Sequence, residues 1–238
     1  MFSRISKIHK RILYGLLAFF SYLMLRITLE YYPIQDDVAF LRIKQQYIQI
    51  IHWKVAFFIH VFTSMFVLIA GFTQFSTLIL KKYKPLHRWM GRLYVANVLL
   101  ITGPASFVMS LYANGGITSR ISFTILAVLW MYFTFMAFKM ALKGQFKAHK
   151  AFIYRSYALT LSALTLRAWK WLIVLALHPP PMQVYRVVAW LGWVPNLILA
   201  EWLIRHRKQS KKEAQMQAQS IKISKENLPD ESRRLPTF

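Results

Sequence analysis

Long apolar runs separated by clusters of lysine and arginine constrain this chain more than any other feature. Of 238 residues, 56% are hydrophobic and 16% charged, against roughly 45–50% and about 25% in soluble domains. A soluble fold this apolar could not cover its own surface, so the pattern points to a bilayer. The net charge is +23, from 31 Lys and Arg against 8 Asp and Glu. In a soluble chain that excess would suggest nucleic acid. Here the basic residues flank the apolar runs, as membrane anchors do, so the expected partner is the lipid bilayer and no nucleic acid. The absence of cysteine excludes disulfides, iron–sulfur clusters, thiol nucleophiles and Cys-type zinc sites.

Six spans are expected, at about 12–27, 55–80, 91–112, 121–142, 151–177 and 184–204, each near the ~20 apolar residues that a hydrocarbon core requires. The first resembles a signal peptide, but no small-residue cleavage site follows it, and it reads as an uncleaved helix. Residues 30–53 form a loop holding Glu30, Asp36 and Asp37, and its second half, VAFLRIKQQYIQII, is apolar enough to lie along the interface. Gly103-Pro104 should kink the third span. Asn114-Gly115-Gly116 reads as a turn, and His178 with three prolines ends the fifth span.

The N-terminus, residues 81–92, residues 143–150 and the tail are basic, whereas the intervening loops are neutral or slightly acidic. The fold class is therefore all-α: a polytopic bundle of six transmembrane helices with both ends in the cytoplasm. Residues 1–205 form the membrane domain. Residues 206–238 form a basic cytoplasmic tail, either disordered or a loose surface helix.

Polar side chains inside a bilayer usually face the bundle interior. His60, Ser64, Gly71 and Gln74 share one helical face, as do His87, Gly91 and Tyr94, and again His149, Ser156, Thr160 and Arg167. Close packing and interhelical hydrogen bonds account for the small and hydroxyl residues. His60 lies on the order of 20 Å from His87 and His149 along the bilayer normal, so one metal ion cannot bind all three. His87 and His149 share a level. Either they cap helix starts at the interface, or they face each other.

Arg167 falls near mid-membrane, where an unpaired arginine costs roughly 2.5–3.5 kcal/mol on an insertion scale. Spans two to five contain no Asp or Glu. Arg167 must use backbone carbonyls, water or an anionic ligand such as a haem propionate, a lipid phosphate or a carboxylate. The same scarcity excludes a carboxylate proton relay or sodium site there. GxSxG, Walker and HExxH motifs are absent, and no enzymatic reaction is indicated.

Three blocks, IHVFTSMFVLIAGFTQF, PLHRWMGRLYV and AHKAFIYRSYALTLSALTLR, resemble in order a family of bacterial predicted membrane proteins, the domain-of-unknown-function family 2306. The resemblance covers about residues 55–167. The matching positions are His60, Gly71, Gln74, His87, Arg88, Gly91, Tyr94, Trp130, His149, Arg155 and Arg167. It implies a multi-pass protein of the bacterial cytoplasmic (inner) membrane with no assigned reaction. LHRWMG is also similar to the LHSWLG run of cytochrome b561-type four-helix haem proteins. That likeness implies one haem b with His87 and His149 as axial ligands, and Arg88 or Arg155 near its propionates. A second haem has no partner histidine on span four.

The expected function is binding of a small anionic or redox ligand in the core of helices two to five. His60, Gln74, Arg88, Tyr94, Arg155 and Arg167 are the candidate ligand-binding residues. The alternatives are a small-molecule or lipid transporter, and a non-catalytic membrane assembly protein.

Overall fold

The structure, a computed structural model, describes residues 7–226. The basic residue Arg4 and the end of the tail, 227–238, lie outside it. The described chain is helical, with α1 at Lys7–Leu29, α2 at Gln45–Ile48, α3 at Ile51–Phe75 and α4 at Thr77–Lys82. Then follow α5 (Lys84–Ala96), α6 (Gly103–Ser110), α7 (Gly116–Leu142), α8 (Phe146–Thr160), α9 (Ser162–Leu177), α10 (Pro181–Leu191) and α11 (Val194–Glu226). Among the described residues, 5 segments are long and apolar enough to cross a membrane: Ile51–Phe75, Lys84–Ser110, Gly116–Leu142, Phe146–Leu177 and Met182–Arg207. The expected first span is the helix α1, whose apolar stretch is Ala18–Leu29.

Local chemistry sets the joints. α3 stops at Ser76, where the backbone turns extended and the hydroxyl accepts the Ile79 amide at 3.3 Å, opening α4. Pro104 has no N–H to donate and its ring crowds the preceding turn. The third span answers with a π-helical turn, Asn97–Thr102, immediately before Gly103. A Cβ on Gly103 would lie 2.2 Å from the Val98 carbonyl oxygen and 2.7 Å from Met131 Cγ, so glycine lets the widened turn sit against α7. The turn after α6 uses Gly115 at φ 95° and Gly116 at φ 77°.

Two expected single helices are interrupted. The fifth span breaks at Leu161 between α8 and α9, and the sixth at Gly192-Trp193 between α10 and α11. α11 then continues as a helix through Glu226, into the first part of the tail.

The central core joins Val67 and Ala70 of α3, Tyr94 and Val98, Trp130 of α7, Tyr157 and Leu159 of α8, and Trp193. α1 packs on α3 and α9 through Met24, Met65, Leu68 and Leu164. Residues 30–50 fold over one end of the bundle, burying Tyr31, Leu41, Ile48, Trp53 and Phe57 together. A 3-10 turn at Ala39–Ile43 and α2 supply that cap. This end is called the loop end below, and the end carrying residues 81–92 the basic end.

Candidate functional site

Under the loop end lies a cavity of about 280 Å³. It runs from Lys44 and Asn114 down between α3, α6, α7 and α9 to Leu68, Trp130 and Leu159, and its wall is mostly apolar. Its charged lining residues are Lys44 and Arg167, joined by the ionisable His60, and no carboxylate lines it.

His60 and Arg167 reach the cavity at one depth. His60 follows the start of α3 by nine residues and Arg167 precedes the end of α9 by ten, placing both about 14–15 Å from the loop end at 1.5 Å per residue. The Arg167 charge acts on the His60 ring. Ser106 Oγ lies 2.6 Å from the Thr102 carbonyl oxygen and 2.8 Å from His60 Nδ1. Two oxygens that close need a proton between them, and only the Ser106 hydroxyl supplies it. His60 Nδ1 is then the donor to Ser106, which leaves Nε2 of the neutral ring as an acceptor.

Arg167 Nη1 donates to the Ala163 carbonyl at 2.8 Å, one turn back on its own helix. Among the described residues no carboxylate pairs with it. Arg167 is exposed, and it is among the residues that line the cavity. Lys170, one turn on, does not join it: its Nζ donates to Tyr185 Oη at 3.0 Å and sits 4.7 Å from that ring's centre.

Lys44 closes the loop end. It is buried, and its ammonium lies 4.5 Å from the Tyr47 ring centre, 5.8 Å from Phe40 and 5.9 Å from Trp53. It donates to the Tyr112 carbonyl. Burial, and secondarily the charge of Arg120, lowers its pKa to about 8. The rings favour the cation, while the lost hydration disfavours it. Beside it, the Asn114 amide nitrogen is buried with no partner.

Of the six residues expected to bind ligand, His60 and Arg167 line the cavity, and Gln74, Arg88, Tyr94 and Arg155 do not. Gln74 donates to the His87 carbonyl at 3.1 Å and packs under Gly91. Arg88 is exposed. Arg155 forms a two-bond ion pair with Glu201 and stacks 5.2 Å from the Phe152 ring centre. Tyr94 belongs to a buried hydroxyl cluster with Ser156, Thr160, Trp130 and Thr134.

His87 and His149 lie within electrostatic reach of each other near the basic end. His149 Nδ1 donates to the Ala137 carbonyl at 2.8 Å, whereas His87 Nδ1 is buried without a partner. Neither lines the cavity, so the expected haem level and the cavity are separate places. Among the described residues no group of three or more His, Asp or Glu is gathered as for a metal ion. Sequence reasoning missed Lys44, Ser106 and Asn114. Of these, Lys44 carried a usable signal, a lysine inside the apolar stretch AFLRIKQQYI.

A family model described as a predicted membrane protein (DUF2306) matches residues 57–204. No curated protein and no solved structure matches the chain.

Proposed function

The chain belongs to the DUF2306 family of predicted membrane proteins, and from that premise we propose that it holds a small anionic ligand in the cavity beneath its loop end. One observation carries this reading. Arg167 is placed mid-bundle, bonded only to a carbonyl of its own helix, facing a cavity without a carboxylate. A cation so placed is stabilised by an anion that enters with its own polar atoms. His60 stands at the same depth.

The cavity's deep end favours a closed binding site over a through-path. Trp130 and Thr160 form part of its floor, and the buried hydroxyl cluster of Tyr94 lies directly behind them. The test is native mass spectrometry of the protein released gently from its membrane, comparing wild type with Arg167→Gln. An anionic adduct on wild type that is missing from the folded variant supports the proposal. Equal spectra refute it.

The proposed setting is the bacterial inner membrane, with α1 as a sixth span and both termini in the cytoplasm, supported by basic residues flanking alternate turns. Because the chain has no native cysteine, single cysteines at Lys147 and Ile117 report sidedness directly. Labelling of Ile117→Cys but not Lys147→Cys by an impermeant maleimide on intact cells is expected, and the reverse refutes this orientation.

A further inference from the structure

The cavity is graded along its length, and the grading identifies the class of ligand. Its cationic station, Arg167, sits partway down, with the neutral His60 ring at the same depth. Beyond that level the wall is mostly apolar, through Met65, Leu68 and Leu159, with the hydroxyl residues Ser64, Ser162 and Thr160 among them. Leu68 lies eight residues past His60 on α3, about 12 Å deeper. An ion without a tail would leave that deeper space empty, and a tail without a charge would leave Arg167 unmatched.

We infer that the ligand is a single-chain carboxylic acid, its carboxylate on Arg167 and its hydrocarbon tail directed toward the basic end. This rests on the reading of the cavity as an anion site. A monoanion fits because one guanidinium is unmatched, while the Lys44 ammonium is already engaged by the Tyr112 carbonyl and three aromatic rings. A carboxylate fits because its two oxygens match the fork of a guanidinium.

The volume sets the chain length. The whole cavity, the part above Arg167 included, measures about 280 Å³ and so holds at most roughly nine or ten non-hydrogen atoms at the ~30 Å³ that each occupies in a liquid such as water. Octanoate has ten. Longer tails must either displace packed side chains or leave the cavity.

The experiment uses the full chain in lipid nanodiscs, radiolabelled octanoate, and competition by straight-chain carboxylates from acetate to tetradecanoate, with empty nanodiscs as the blank. Affinity is expected to rise about fourfold per added methylene, up to a chain of about eight carbons, and then to level or fall. Arg167→Gln should lower octanoate affinity about tenfold or more. Leu68→Phe, which narrows the deep end, should move the optimum to shorter chains and leave acetate unaffected. If that variant does not fold, the wild-type chain-length series still decides. Equal competition by acetate, phosphate and octanoate, still lost in Arg167→Gln, overturns the single-chain acid and leaves the anion site standing. No competition by any anion overturns both.

Discussion

Replacing Tyr94 with phenylalanine tests whether the hydroxyl cluster at the centre of the bundle is a structural lock or part of a ligand site. The protons in that cluster have one consistent placement. The Trp130 indole N–H can only donate, and does so to Thr160 Oγ1 at 3.0 Å. The Trp130 carbonyl can only accept, and does so from Thr134 Oγ1 at 2.7 Å. These two ends set the direction of everything between. Thr160 donates to Tyr94 Oη at 2.8 Å, Tyr94 to Ser156 Oγ at 2.7 Å, and Ser156 to Thr134 at 2.7 Å. The chain of bonds leaves Trp130 and returns to it, tying α5, α7 and α8 together with each hydroxyl giving one bond and receiving one.

Tyr94→Phe removes two of these bonds without opening a cavity. Each is worth about 1 kcal/mol net, and interhelical bonds in membranes average nearer ~0.6 kcal/mol. Thr160 can fall back on the Ser156 carbonyl, 3.3 Å away, so no buried donor is stranded. The expected loss is about 1–1.5 kcal/mol, read by steric trapping or by SDS titration of the purified protein. A double-mutant cycle with Ser156→Ala should show a coupling of about 0.6–1.5 kcal/mol. Unchanged stability together with weakened octanoate binding would refute the lock and return Tyr94 to the ligand site.

Glu201→Gln breaks the ion pair with Arg155, whose side chains are 21% and 33% exposed. Breaking a fully buried pair costs about 3–5 kcal/mol, so this half-buried one should cost about 1–3 kcal/mol by the same assay, and the exchange Arg155→Glu with Glu201→Arg should recover part of it. Lys44 predicts a pH dependence. Its pKa is about 8 in the folded protein against 10.5 unfolded, so the unfolded chain binds more protons between those values and stability rises with pH across that window. Unfolding titrations from pH 7 to 10.5 should show the rise in wild type and a flatter profile in Lys44→Met. Gly71→Ala would put a Cβ 1.8 Å from Tyr157 Cε2, an overpacking that should cost about 1–3 kcal/mol, and pairing it with Tyr157→Ala should relieve the clash at the price of a cavity.

The helices and most joints were legible because they follow from short-range rules. Apolar length marks spans, Gly-Gly permits positive φ, and Pro104 must disturb its helix. The form of that disturbance, a π-helical turn at Asn97–Thr102, cannot be read locally. Helical spacing and depth were enough to put His60 and Arg167 forward, since both quantities are linear in sequence. Face alone could not separate Gln74 and Tyr94, which do not line the cavity, because a polar face is shared between a cavity wall and a closed packing seam. Arg155 was open to either use until its distance from Glu201, 46 positions away in sequence, was known. Lys44 escaped notice because a basic residue in a loop reads as a solvated anchor, and only the folding of residues 30–50 over the bundle buries it.

The two polar systems in the bundle differ in their balance of donors and acceptors. Around Tyr94 the donors and acceptors cancel, and another group entering there would have to displace a bond already made. In the cavity they do not cancel. Arg167 carries five donors with one described bond to protein, and the lining offers the hydroxyls of Ser64, Ser162 and Tyr185 but no carboxylate against its charge. Water filling the cavity would not correct this, since each molecule brings as many donors as acceptors and no charge. The proposed anion would correct it, with its tail along the mostly apolar wall beyond Arg167.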